Sequence, residues 1–332
     1  MAIFKREIEK DQFIPREFPE KILKPLPKTK GEGKLVFAVF LGTIVLSLGF
    51  WFYGGFKRGE IFKRDKNFSD SQIIFPVISP TPTPEKDPSQ QVILEISNLT
   101  KDLKGTYGIY VYNLTKKRGY GINEESVFPA ASLMKLPVLL TLYQEKEAGK
   151  VNLDDKYILK ESDKQKGAGV MQYKPAGTVY TLRQMAELVA NQSDNTAFFI
   201  FRKLLGDENI QKTIDRLGMS KTSLKEFETT PFDIALFFRK FYGGSILDRE
   251  DREEILNFLT KTFDESRIPA GIPEGVRVAH KVGTDIGVIS DAGIVFAQKP
   301  FILVIMSKDV LEKEAKEVLP KITRAVWEFE HD

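Results

Sequence analysis

The chain has no cysteine in its 332 residues, which excludes disulfide staples, thiol nucleophiles and Cys-ligated zinc or iron–sulfur centres together. Histidine is nearly as scarce, with only His280 and His331 present. A multi-histidine zinc site therefore cannot be assembled. A Ser-His-Asp triad would have to use His280, since His331 is the penultimate residue, where chain ends fray. Carboxylate-only metal sites survive this test, although no Asp-x-Asp-x-Asp-Gly spacing supports one. An excess of one charge is missing too: 49 Lys and Arg against 46 Asp and Glu leave a net +3. No basic stripe gathers, so nucleic-acid binding has little to stand on. Lysine remains as the natural side-chain base, and nothing calls for a metal or cofactor.

One long apolar run is present. Residues 35–56 carry no charge, lie between Lys34 and Lys57, and end in Phe50-Trp51-Phe52-Tyr53. That length spans a bilayer core, with the aromatics at its interface. A cleaved signal peptide fits poorly, because the preceding stretch is too long and no small-x-small cleavage site follows. Lys21, Lys24, Lys28, Lys30 and Lys34 before the run balance Lys57, Arg58, Lys63, Arg64 and Lys66 after it, so the positive-inside rule does not orient it. Ser79-Pro80-Thr81-Pro82-Thr83-Pro84 reads as an extended spacer. The expected organisation is a short disordered tail at 1–34, a transmembrane helix at 35–56, a Pro/Thr-rich linker at 57–89 and a globular domain at 90–332. The expected location is the cell membrane, crossed once, with the domain extracytoplasmic.

Within the domain, residues 92–103 have helical apolar spacing, and 107–114 alternate as a strand with 118–122 as hairpin partner. Residues 131–263 are mostly helical in pattern, and Thr181-Leu182-Arg183-Gln184 is a capping box. Strands return at 276–282, 289–296 and 301–306, and an amphipathic helix closes at 309–329. Strands at both ends predict an α+β fold: one antiparallel sheet built from the two ends of the domain, flanked by helices, with an all-helical subdomain inserted.

The chemistry concentrates in Ser132-Leu133-Met134-Lys135, followed 61 positions after the serine (193 minus 132) by Ser193-Asp194-Asn195. A serine hydroxyl is a poor nucleophile near neutral pH and needs a neighbour to take its proton. If Ser132 opens a helix, Lys135 lies one turn on, on the same face. Leu133, Met134, Leu136, Val138, Leu139, Leu140 and Leu142 cover nearly every face of that helix, so it is buried. A lysine entering it requires a partner or a shifted pKa. Ser193-Asp194-Asn195 suits either a helix N-cap ahead of residues 196–205 or a second wall of polar catalytic groups.

Together with Lys281-Val282-Gly283-Thr284 on a late strand, these motifs resemble the class A serine β-lactamases and the related penicillin-binding proteins of the transpeptidase-like superfamily. Phe128-Pro129-Ala130-Ala131 leading into the serine adds to the likeness, which spans roughly residues 90–329. The resemblance implies that Ser132 is the acylated nucleophile and Lys135 its base. It further implies that Ser193 relays a proton to the leaving nitrogen, that Asn195 holds the substrate's amide side chain, and that the backbone N–H groups of Ser132 and Thr284 form the oxyanion hole. His280 reads as a structural strand residue.

Two departures stand out. Val282 replaces the hydroxyl residue usual between the lysine and glycine, so Lys281 would act mainly as a positive charge toward a substrate carboxylate. Thr284, two residues on and on the same strand face, is the candidate for the missing hydroxyl. The family's long Ω-loop, whose glutamate activates the deacylating water, is also shortened: residues 218–231 retain only Glu226-Phe227-Glu228-Thr229-Thr230-Pro231. Glu226 and Glu228 are the candidates for that role, or are two solvated side chains before a helix. The expected function is a membrane-anchored serine β-lactamase-like hydrolase with slow deacylation. A penicillin-binding D-Ala-D-Ala peptidase and a non-hydrolytic β-lactam sensor are the alternatives. The partners expected are a β-lactam or a peptidoglycan stem peptide, and the membrane through one N-terminal helix.

Overall fold

The computed structural model describes residues 88–331. The tail, the membrane span and nearly all of the linker expected from the sequence lie outside the described residues, among which no helix is long and apolar enough to cross a membrane.

Five antiparallel strands make the main sheet. They are β1 (Thr106–Asn113), β2 (Arg118–Ile122), β7 (Arg277–Asp285), β8 (Val288–Phe296) and β9 (Phe301–Lys308), in the order β2-β1-β9-β8-β7. The two chain ends meet where β1 pairs with β9, Ile109 opposite Ile305. Strand β9 is central because its sequence is apolar on both faces. Phe301, Leu303 and Ile305 pack into one core with α1 (Ser89–Thr100) and α8 (Glu312–His331), while Ile302, Val304 and Met306 join the second core on the opposite face. Each such fully buried side chain contributes roughly 1.5–3 kcal/mol.

The second core is mainly helical: α2 (Lys135–Glu147), α3 (Leu182–Asn191), α4 (Asn195–Leu205), α5 (Asp207–Arg216), α6 (Pro231–Tyr242) and α7 (Arg249–Phe258). Helix α2 is buried from Lys135 through Tyr143, as its all-round apolar sequence requires. The capping box forms as expected, Thr181 Oγ1 accepting from Gln184 N at 3.1 Å and Gln184 Oε1 from Thr181 N at 2.9 Å. The insert is not purely helical, however. It holds two two-stranded ribbons, β3 (Phe128–Pro129) with β6 (Glu228–Thr229), and β4 (Lys156–Ile158) with β5 (Val179–Thr181). Runs this short are too brief for periodicity to separate them from loop.

Strand β7 continues three residues beyond the expected end, through Asp285, because a tight turn at Ile286-Gly287 lets Asp285 pair with Val288. Gly287 takes φ 69° there, a conformation suited to glycine. The extension carries Thr284 to the edge of the cleft described next.

Candidate active site

Ser132 does not open an α-helix. It lies in a 3₁₀ turn, Ala131–Met134, and the α-helix begins at Lys135. The turn is entered through Ala131 at φ 44°, a strained left-handed conformation for a residue with a Cβ. Strand β7 packs against this turn, and the Ala130 N–H donates to the Phe227 carbonyl at 2.8 Å. The serine is thereby turned toward a cleft of about 460 Å³ that Lys135, Asn195, Phe198, Phe227 and Thr284 also line.

Lys135 is 2% exposed. Its Nζ lies 2.9 Å from Ser132 Oγ, 3.1 Å from Ser193 Oγ, 2.7 Å from the Ser193 carbonyl and 2.7 Å from Asn195 Oδ1. The two shortest contacts are to oxygens that can only accept, so they claim two N–H bonds. In the neutral amine the lone pair is then left facing the hydroxyls. Burial lowers the Lys135 pKa to about 7, against an opposing pull from Asp194. Much of it is therefore free amine near neutral pH.

Ser193 Oγ also accepts from Lys281 Nζ at 3.0 Å, so one hydroxyl stands between two amines. Burial, and then the like charge of Lys135, hold the Lys281 pKa well below its usual value. Lys281 is wholly buried, its second bond going to the Val282 carbonyl at 3.0 Å. Its amine thus faces Ser193, and not the open cleft in which the sequence places its contact with a substrate carboxylate.

The Ser-Asp-Asn triplet divides the two tasks considered for it. Asp194 is the helix cap: Oδ1 accepts from Ala197 N at 3.0 Å and starts α4. Its other oxygen accepts from Val170 N at 2.7 Å and Met171 N at 2.8 Å, holding the facing wall of the cleft. Ser193, at φ 54°, and Asn195 are left to face Lys135. Asn195 Nδ2 donates to the Lys166 carbonyl at 3.0 Å, which orients the amide so that Oδ1 meets the amine.

At the opposite rim, Thr284 Oγ1 accepts from Arg267 Nη2 at 2.6 Å. Arg267 is 2% exposed and spends its remaining donors on Asp264 Oδ2 at 3.0–3.1 Å, the Gly283 carbonyl at 2.9 Å and the Ser290 carbonyl at 2.6 Å. A buried guanidinium must be paired in this way. The sequence reading missed Arg267. Its only local signal is Asp264 three residues earlier, which does not distinguish it among 49 Lys and Arg.

The two loop glutamates do not line the cleft. Glu226 pairs with Lys225 at 3.2 Å and Glu228 is exposed on β6, while Phe227 between them presents its ring edge-on to Phe198, the centroids 6.1 Å apart. The turn that seats Glu228 opposite Pro129 in the β3–β6 ribbon directs Phe227 inward and its neighbours outward. Among the described residues one group of three carboxylates could hold a cation: Glu147, Asp248 and Asp251. These groups are occupied structurally, Asp251 pairing with Lys146 at 2.8 Å and Asp248 capping α7.

Residues 91–329 match the family model described as the beta-lactamase enzyme family. Curated relatives include beta-lactamase VEB-1 of Pseudomonas aeruginosa, 23% identical over 275 residues covering 73% of this chain and 91% of that protein. Another is beta-lactamase 3 of Bacillus cereus, 26% identical over 230 residues and covering 64% and 72% respectively. Among solved structures, an acyl-enzyme complex of a PBP-A variant with penicillin G superposes with a TM-score of 0.68 at 26% identity, covering 74% of this chain and 98% of that one. The β-lactamase of Sphaerobacter thermophilus does so with 0.68 at 25% identity, covering 73% and 97%. Sequence motifs, fold and relatives agree that the chain belongs to the beta-lactamase enzyme family, with the class A architecture.

Proposed function

We propose that the protein is a membrane-anchored serine hydrolase that opens β-lactam amides through an acyl-enzyme on Ser132, and that releases the acyl group slowly. The observation that carries this is the Lys135 amine, buried, pinned by two acceptors and 2.9 Å from Ser132 Oγ. Lys135 takes the hydroxyl proton as Ser132 attacks the lactam carbonyl. Backbone N–H groups of Ser132 and Thr284 hold the oxyanion, a donor pair whose members are each typically worth on the order of a hundredfold or more in rate. Ser193 then passes a proton to the departing nitrogen, and Lys281 sets the acidity of that hydroxyl from behind. Asn195 receives the substrate's amide side chain. Thr284, backed by Arg267, receives its carboxylate.

Slow release follows from the cleft wall. Water attack on the ester needs a base, and Phe227 stands where Glu226 and Glu228 turn away. This favours, as second reading, a penicillin-binding D-Ala-D-Ala peptidase whose natural acyl acceptor is an amine. The charge-free run at 35–56 and the Pro/Thr spacer support a single membrane anchor with the catalytic domain outside the cell membrane.

The full chain in detergent, mixed with penicillin G and followed by absorbance and intact mass, tests both. Turnover without a lasting adduct supports a β-lactamase, and a persistent adduct on Ser132 supports the peptidase or a sensor. No adduct refutes the acyl-enzyme reading. Release of D-alanine from a stem-peptide mimic separates peptidase from sensor.

A further inference from the structure

His280 adjoins Lys281 on β7 but takes no part in the chemistry above. Its ring is fully buried and is held at both nitrogens. Nδ1 lies 2.8 Å from Asp291 Oδ1 on β8. Nε2 lies 3.1 Å from Glu265 Oε1 and 3.2 Å from Thr262 Oγ1. The cross-strand partner of His280 is Gly293, where an added Cβ would come within 2.6 Å of the histidine Cβ. Glycine at 293 therefore lets the β7 backbone at His280 lie this close to β8.

Both carboxylate partners hold the same segment. Asp291 Oδ2 accepts from Ile268 N at 3.0 Å, and Glu265 Oε1 accepts from Thr262 N at 2.5 Å. Between these two points the chain carries Arg267 to Thr284 at the cleft rim. A ring with two N–H bonds can serve both carboxylates at once, whereas a neutral ring, with one N–H, turns a lone pair toward one of them.

We propose that His280 is a positioning residue: as an imidazolium clasped between Asp291 and Glu265, it fixes the 262–268 segment and so holds Arg267 behind Thr284, whose hydroxyl meets the substrate's carboxylate. The charged groups facing the ring are Asp291 from β8 and Glu265 from the segment, joined by the Thr262 hydroxyl. Burial disfavours the charged ring, but Asp291 and then Glu265 outweigh it and raise the pKa to about 9. The clasp is closed at neutral pH and opens as pH rises through that value.

The proposal rests on the acyl-enzyme reading only for its kinetic arm. In that arm His280→Gln in the full chain raises the half-saturating concentration of penicillin G by about tenfold, the loss of one charge-assisted hydrogen bond, and leaves the limiting acylation rate within about threefold. With penicillin G methyl ester, whose carboxylate is masked, the same substitution has no effect on half-saturation. An equal penalty on acid and ester would overturn the proposal. Absence of any adduct with the unsubstituted protein would refute the acyl-enzyme reading instead, and the clasp is then decided by NMR. With only two histidines in the chain, His331→Gln assigns the two imidazole signals. A His280 ring titrating near 9, with an Arg267 Nε–H resonance displaced by His280→Gln, supports the clasp. A ring titrating at its ordinary value, or an Arg267 resonance unmoved in a folded His280→Gln protein, refutes it.

Discussion

Lys281, on β7, reaches Ser193, 88 residues earlier in the chain, and places its amine 3.0 Å from the serine hydroxyl oxygen. The contact joins the sheet to the helical insert at the hydroxyl proposed to pass a proton to the leaving group. Because Lys135 touches the same oxygen from the other side at 3.1 Å, protonation of either amine disfavours protonation of the other. A hydroxyl held between two such groups can receive a proton on one side as it gives one up on the other.

Lys135→Ala removes the side-chain amine hydrogen-bonded to Ser132. The rate of adduct formation with penicillin G is expected to fall by at least about a hundredfold, the usual scale for a positioned base, with the fold retained by circular dichroism. Intact-mass time courses check this, and an undiminished rate would show that another group takes the proton.

The pH profile of acylation follows from the same amine. Its folded pKa is lowered to about 7, so the free base grows as pH rises through 7 and the acylation rate climbs with it. Stopped-flow rates with penicillin G from about pH 5.5 to about pH 8, where His280 is still mostly protonated, are expected to rise and level. A profile flat through neutrality would contradict the assignment.

Thr284→Val deletes the rim hydroxyl and leaves an Arg267 N–H without its acceptor. Half-saturation by penicillin G is expected to weaken by about tenfold, with the backbone N–H of residue 284, the proposed oxyanion donor, retained. Unchanged acylation would remove Thr284 as the replacement for the hydroxyl that Val282 cannot supply.

Asp194→Ala strips the acceptor from three backbone N–H groups, those of Val170, Met171 and Ala197. A lost N-cap costs about 1 kcal/mol and each buried unsatisfied donor about 1–3 kcal/mol. A fall of several °C in the thermal midpoint is expected, with acylation reduced because the facing cleft wall loosens. Glu226→Gln and Glu228→Gln, by contrast, are expected to leave adduct lifetime within about twofold, since neither carboxylate meets the ester.

Stability against pH isolates His280. A folded pKa raised above the unfolded one means that the clasp stabilises fully below the unfolded value of about 6.5, and that this contribution is lost as pH rises through about 9. The gap in thermal midpoint between the unsubstituted protein and His280→Gln is therefore expected to shrink between pH 7 and 10. Lys135, whose pKa is lowered, shifts both proteins the same way and drops out of the difference.

The sequence by itself determined the sheet and the Ser132–Lys135 pair. Alternation in β1, the continuous apolar runs of β9 and α2 and the Ser-x-x-Lys spacing are local, since period and helical pitch act within a few residues. They were enough to single out Ser132 and Lys135, while Ser193, Asn195 and Thr284 entered through the resemblance to the class A family. Only the tertiary structure decided which groups serve them. Asp194 and not its neighbours caps α4, Lys281 turns inward to Ser193, Phe227 and not either glutamate faces the cleft, Arg267 stands behind Thr284, and His280 is held between Asp291 and Glu265. These outcomes depend on partners tens of residues away, on burial that makes an unpaired charge costly, and on turns such as Ile286-Gly287 whose register sets which side chain points in. None of those quantities is written in a local window of residues.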